Sequence, residues 1–274
     1  MSQGEPRDGR VNVGDLNLHY VEWGDPQAPP MVLLHGFMAH AHTWDLFAPG
    51  LARDYRVLAV DQRGHGDSDP APEYGPELYV RDLEGFVRAL NLPPFVLVGM
   101  SMGGRNAMLY AARHPELVPR LVIVDIGPEA PPPLPPRPDA PQDPGVFDSP
   151  QQVADFLRAM DPYPPEEYRQ RVAAHSVRRR EDGKYVWKWH EGLLWGPSPV
   201  EGDYWDALRA IQCPTLVVRG AESPILPREM AERMVQALRD GRLVEIPRAG
   251  HAVQEDNAPA LVAAVREFLG LPAR

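Results

Sequence analysis

LVGMSMGGRNAM, residues 97–108, sets one serine between two glycines, directly after an apolar run and just before a stretch rich in alanine and methionine. An apolar run closed by glycine and followed by a helix-forming stretch predicts a strand that turns sharply into a helix. The simplest reading makes Ser101 the N-cap of that helix, a common place for serine. The rest of the chain decides whether it does more.

Short, continuous, β-branched runs flank this stretch: MVLLHG (31–36), YRVLAVD (55–61), FVLVGM (95–100), LVIVDIG (121–127), PTLVVRG (214–220) and RLVEIP (242–247). Such runs are expected of strands covered on both faces. VNVGDLNLHYVEWG (11–24) instead alternates around a Gly-Asp turn and predicts an antiparallel hairpin at a sheet edge. Helical patterns lie between most of the runs, over 77–91, 101–116, 227–240 and 258–270. Strands alternating with helices predict an α/β fold, a mostly parallel sheet flanked by helices.

The alternation breaks after Asp125. GPEAPPPLPPRPDAPQDPGVFDSP holds ten prolines in 24 residues, which suits an extended connector and neither helix nor central strand. SPQQVADFLRAM and PEEYRQRVAAHSVRRR beyond it look helical, and KYVWKWHEGLLWGP and GDYWDAL hold four of the six tryptophans. The parallel-strand pattern resumes at Pro214. Residues 1–127 with 211–274 therefore read as one core, and 128–210 as a mostly helical cap inserted after the sixth sheet strand. It should lie over the end of the sheet where the strands deliver their C-termini and where open α/β sheets bind ligands.

Composition narrows the function. The 274 residues include 28 Lys plus Arg against 38 Asp plus Glu, a formal charge of −10, so no basic field is available for nucleic acid or an anionic membrane. A small-molecule substrate fits better. One cysteine, Cys213, excludes an intramolecular disulfide and a multi-Cys zinc site. MSQGEPRDGR has no apolar leader, and no run approaches the ~18–20 apolar residues of a membrane span, so the cytoplasm is the expected location. The 33 prolines are roughly twice the usual ~5% and lower the entropy of the unfolded chain.

Gly99, Ser101 and Gly103 form G-x-S-x-G between a strand and a helix. With LLHGF (33–37), VDQRGHGDSD (60–69) and AGHAVQEDNAPAL (249–261), the motif makes four segments in an order that resembles the cap-bearing, esterase-like members of the α/β-hydrolase superfamily over essentially the whole chain. The resemblance implies that Ser101 is a nucleophile on a strained turn. His251, on the loop after the last strand, would be its base. The backbone N–H groups of Phe37 and Met102 would form an oxyanion hole. It also implies that His35 shapes the oxyanion loop, and that Asp61, Arg63 and His65 support the floor of the site.

The acid departs from the common pattern. Members of the superfamily usually carry an aspartate a few residues after the strand that here is PTLVVRG, and this chain has Ser223 in GAESP. Serine cannot hold the charge that stabilises imidazolium. The candidates are Asp125, 24 residues after Ser101 at the end of LVIVDIG, and Glu222, with a Ser223-assisted dyad as a further alternative. Asp125 is the choice, because an acidic residue ending an apolar strand needs a partner when buried and because some members resemble this chain in taking their acid from that strand. It should then lie within about 2.6–3.2 Å of His251 Nδ1.

Arg105, one turn after Ser101, is a candidate to meet a substrate carboxylate, with internal pairing as the alternative. Trp187, Trp189, Trp195, Trp205, Tyr185 and Tyr204 could roof the pocket, with His190 lining it. Together these residues describe a serine hydrolase of a small or medium acyl compound, most simply a carboxylic ester, requiring no metal and no organic cofactor. Amide, lactone or C–C bond hydrolysis and perhydrolysis would use the same site, and a ligand receptor that has lost turnover is the non-enzymatic alternative.

Overall fold

The computed structural model describes residues 6–133, 141–195 and 202–272. Residues 134–140 of the proline-rich connector, and the first five residues of the N-terminal stretch, lie outside them. Among the described residues the chain order begins β1 (Arg7–Asn12), β2 (Asn17–Trp23), β3 (Pro30–Leu34), β4 (Arg56–Val60), α1 (Pro76–Ala89), β5 (Val96–Met100), α2 (Met102–Arg113) and β6 (Arg120–Val124). After the inserted segment come α5 (Trp205–Ala210), β10 (Thr215–Gly220), α6 (Arg228–Ala237), β11 (Gly241–Ile246), α7 (Val253–Asp256) and α8 (Ala258–Phe268). One sheet has the order β1-β2-β4-β3-β5-β6-β10-β11. β1 and β2 form the antiparallel edge hairpin, β2 runs antiparallel to β4, and every other pairing is parallel.

The continuous apolar runs follow from burial on both faces. In β3, Val32 and Leu34 meet one core with α1, α2 and α6, while Met31 and Leu33 meet the other, with the 3₁₀ turns near Trp44 and with α8. Leu121 and Ile123 against Val122 and Val124 repeat the division in β6. β11 differs from expectation: it is the outer strand, only its last residue is fully buried, and its one neighbour is β10.

Residues 128–210 hold β7 (Val146–Phe147), α3 (Pro150–Met160), α4 (Glu166–Ser176), β8 (Val177–Arg179) and β9 (Tyr185–Trp187). The insertion is thus less helical than expected. The run read as one helix through VRRR leaves the helix at Val177, and β8 pairs with β9, which also pairs with β7. Phe147, Val153, Ala154, Ala173 and Val177 form its own small core. Tyr204, Leu208 and Ile211 are buried in the main core instead, so α5 packs with the sheet layers.

Candidate active site

The turn between β5 and α2 holds Ser101 at φ 53°, ψ −121°, outside the conformations an L-residue prefers. Close packing enforces it. A Cβ on Gly103 would lie 2.4 Å from the Leu34 carbonyl oxygen, and one on Gly99 would lie 2.3 Å from that of Gly103. Only glycine lets α2 start this near the strand. The Ser101 hydroxyl accepts no cap hydrogen bond from the helix. It donates to His251 Nε2 at 3.0 Å.

His251 Nδ1–H donates to Asp125 Oδ2 at 2.8 Å. The Asp125 carboxylate is completely buried at the end of β6. Besides His251 it accepts the Gly220 N–H at 3.0 Å and the Ser223 hydroxyl. Three donors satisfy a buried carboxylate that would otherwise be costly to keep charged. The structure therefore brings Ser101, His251 and Asp125 into one hydrogen-bonded series, with Ser223 behind the acid. Glu222 is turned away: its carboxylate accepts the hydroxyl of Tyr163 from the insertion.

Met102 follows Ser101, and Gly36, the residue before Phe37, packs against it, where a Cβ would lie 3.2 Å from Ser101 Cβ; neither the Phe37 nor the Met102 N–H has an acceptor among the described residues. A network fixes the Phe37 loop; His35 was expected to shape it, and sequence reasoning missed Gln62 and Asn106. His35 donates from Nδ1 to the Gly36 carbonyl at 2.7 Å and accepts the Gln62 N–H at Nε2, 3.0 Å away. Gln62 Nε2 returns to the His35 carbonyl, and Asn106 of α2 donates to Gln62 Oε1, both at 2.7 Å. Burial pushes the His35 pKa down, so the ring is neutral and one tautomer satisfies both bonds. Arg63 grips Asp82 with two hydrogen bonds beneath this loop, at 2.5 and 2.6 Å.

A cavity of about 480 Å³ opens between the core and the insertion. It reaches Phe37 on one side and Ala252, the neighbour of His251, on the other; Phe156, Leu157, Trp187 and Trp189 give it apolar walls. Trp187 is fixed by its indole N–H on Asp143, at 2.8 Å, and by edge contact with Phe147. The other end is acidic, with Asp161 and the half-buried Glu255. Burial, with Asp161 adding to it, pushes the Glu255 carboxyl up to about 8.

Several candidate substrate contacts are corrected. Arg105 is buried, with Nε on the Gly127 carbonyl at 3.1 Å, a second bond to the Glu129 carbonyl, and the guanidinium 5.1 Å from the Tyr204 ring centroid. Its cation is directed under the start of the insertion, away from the cavity. His190 accepts the Tyr74 hydroxyl at 2.8 Å and caps a 3₁₀ turn, lining an outer groove instead. Trp195 is 84% exposed, and Trp205 packs under Arg209 and Arg233 outside the cavity. Only Trp187 and Trp189 of the expected roof line it.

His19, Asp61 and Asp67 could converge on a metal ion among the described residues. All three already have partners. His19 bridges Asp61 at 2.7 Å and Asp8 at 2.9 Å, Asp61 also accepts the Ala41 N–H at 2.6 Å, and Asp67 meets Lys188 at 2.5 Å. Asp61 and Asp8 raise the His19 pKa against its burial, which favours an imidazolium ion in the place a metal would take. No helix among the described residues is long and apolar enough to cross a membrane.

The family model described as the alpha/beta hydrolase fold matches residues 29–258. Esterase Rv0045c of Mycobacterium tuberculosis is 33% identical over 279 residues, covering 96% of this chain and 89% of its own. The 2-(acetamidomethylene)succinate hydrolase of Mesorhizobium japonicum is 28% identical, covering 95% and 94%. A crystal structure of E-2-(acetamidomethylene)succinate hydrolase superposes with a TM-score of 0.86 at 25% identity, over 97% of this chain and all of the other. Sheet order, strand-to-helix turn and full-length likeness agree, and the chain belongs to the α/β-hydrolase family and is a hydrolase.

Proposed function

We propose that this hydrolase is a serine esterase for uncharged acyl groups of small to medium size, with residues 128–203 acting as a cap over the acyl pocket. The observation that carries the reading is the Ser101–His251–Asp125 series, together with a 480 Å³ cavity of apolar walls that Phe37 and Ala252, the residue after His251, line. Ser101 Oγ attacks the ester carbonyl as His251 Nε2 takes its proton, and Asp125 stabilises the imidazolium from Nδ1. The Phe37 and Met102 N–H groups receive the oxyanion. His251 returns the proton to the leaving alkoxide, and water attacks the acyl-enzyme by the same route in reverse.

The electrostatics of the cavity favour neutral chains. Arg169 is the one arginine or lysine among its described lining residues, and its guanidinium is tied to the carbonyls of Asp161 and Pro164 at 2.6 and 2.7 Å. A substrate carboxylate would meet Asp161 and Glu255 with no free cation to offset its desolvation. Trp187 and Trp189 supply the acyl wall.

The test is a panel of p-nitrophenyl esters of graded chain length beside half-esters of dicarboxylic acids, with a fluorophosphonate probe to label the nucleophile. Labelling at Ser101 and neutral esters preferred by about ten-fold or more are expected. A folded protein that the probe leaves unlabelled overturns the mechanism, and a preference for the anionic half-esters overturns the substrate class.

A further inference from the structure

Two hollows of the molecule share one wall. The cavity that Phe37 lines and an outer groove of about 1010 Å³ that runs past Gly64 are both lined by Asp143, Trp187 and Trp189. The chain crosses from one to the other here: Pro141 lines the cavity, Asp143 lines both, and Pro144 and Gly145 line the groove. The two sides differ in character. Phe156, Leu157 and Trp187 make the cavity apolar, whereas the groove sets Arg178, Arg180 and Lys188 against Asp67, Asp69 and Glu191. Asp143 is fixed within this wall. Pro144 after it restricts its backbone to extended conformations, and its Oδ1 accepts the Gly145 N–H at 2.7 Å, closing a short turn in which Gly145 takes φ 67°. The carboxylate then accepts the Trp187 indole N–H, with Oδ2 at 2.8 Å and Oδ1 at 3.1 Å. Phe147 and Phe156 pack on the same ring, at centroid distances of 4.9 and 5.9 Å. Packing sets where the ring lies, and the directional bond sets how it is turned.

We infer that the Asp143–Trp187 hydrogen bond closes the cavity against the groove and thereby sets the longest acyl chain the enzyme accepts. The groove is then an overflow that longer chains reach only when the bond is broken. The inference rests on the cavity being the acyl pocket of the proposed esterase. It makes Asp143 a positioning residue that acts through Trp187. A chain within the limit stays among apolar side chains. A longer chain has to separate an indole N–H from a carboxylate, a stronger bond than one between neutral groups. Its last methylenes then emerge among charged side chains, where the gain from burying them is lost.

The experiment measures kcat and KM for p-nitrophenyl esters from acetyl to hexadecanoyl in the wild type, D143A, D143N, W187F and the double variant W187F/D143A. Wild-type kcat/KM is expected to break downward at one chain length. In D143A the esters beyond the break should gain about ten-fold relative to those before it, through KM more than kcat, because only the binding of the remote chain changes. D143N keeps Oδ1 for both the Gly145 and the indole N–H and should keep the wild-type break. W187F removes the indole N–H and part of the ring, so it should move the break as well, and on that background D143A should add no more than about two-fold. A wild type without a break overturns the inference, as does a break unmoved in D143A or one that D143N moves as far. A D143A effect of equal size with and without the indole also overturns it. Should D143A fail to fold, D143S, which offers an oxygen to the Gly145 N–H and falls short of the indole, is read in its place. Fluorophosphonate labelling of wild-type Ser101 is independent of the wall: its failure counts against the esterase, whereas an unmoved break with labelling intact counts only against the role of Asp143.

Discussion

At Ser101 a backbone conformation that costs roughly 1–3 kcal/mol is held by glycines on either side, and the hydroxyl it displays meets His251 and not the helix. Ser101→Ala is expected to fold and to lose at least about 10⁴-fold in ester turnover. His251→Ala should lose a similar factor, and the double variant no more than either, because the residues act as a unit. Asp125→Asn should approach a 10⁴-fold loss, through the wrong histidine tautomer. Glu222→Gln and Ser223→Ala should stay within about ten-fold of wild type. A kcat/KM series over these variants checks all six, and a Glu222→Gln loss as large as that of Asp125→Asn would reassign the acid. These positions were legible because each sits where an apolar strand ends, and strand ends are readable. For Arg105 the sequence left substrate contact and internal pairing both open, and His190 was placed on the pocket wall, for a complementary reason: spacing along a helix or loop places a side chain near the site without saying whether it turns inward.

Among the elements, α2 is placed by the missing side chain of Gly103. In Gly103→Ala the new methyl would press on the Leu34 carbonyl, a backbone atom that cannot swing aside. A loss of about 1–3 kcal/mol, the usual cost of overpacking, is expected in the urea unfolding midpoint, with turnover falling alongside as Ser101 shifts. The core strands and helices could be read because each obeys one period over a length that suits it. β8 and β9 could not: three-residue strands carry no readable alternation, and the arginines of VRRR suit an exposed strand as well as a helix. β9 nonetheless delivers Trp187 to the cavity. Trp187→Ala should change the order of preference among acyl chain lengths; equal change for every ester would make Trp187 a packing residue of the insertion alone.

For the whole molecule, buried carboxyls set the response to alkali. Glu255 and Asp256 have folded pKa values raised to about 8 and about 9, above those of unfolded carboxylates. The stability they allow is fully present below roughly pH 4, where both states are protonated, and falls as the pH climbs through those folded values. The raised His19 adds to the same trend, whereas the neutral, buried His35, His40 and His65 act only on the acid side of their ordinary value. Tm is therefore expected to drop by several degrees between pH 6 and 9, with a shallower slope in Glu255→Gln. An unchanged slope would remove Glu255 from the account.

Arg105 has one more consequence. Its guanidinium clasps the carbonyls of Gly127 and Glu129, where the chain leaves the sheet, and lies over Tyr204, where the chain returns, while the Tyr204 N–H bonds the Pro128 carbonyl at 2.7 Å. Departure and return are stitched together at one point, so whatever hangs between them is exchangeable cargo. Replacing residues 130–203 by a short Gly-Ser linker should give a folded protein that a fluorophosphonate still labels at Ser101, with its discrimination among acyl chains erased. Transplanting the corresponding segment of a relative onto the same stitch should import that relative's taste in substrates while the chemistry stays with the strand ends.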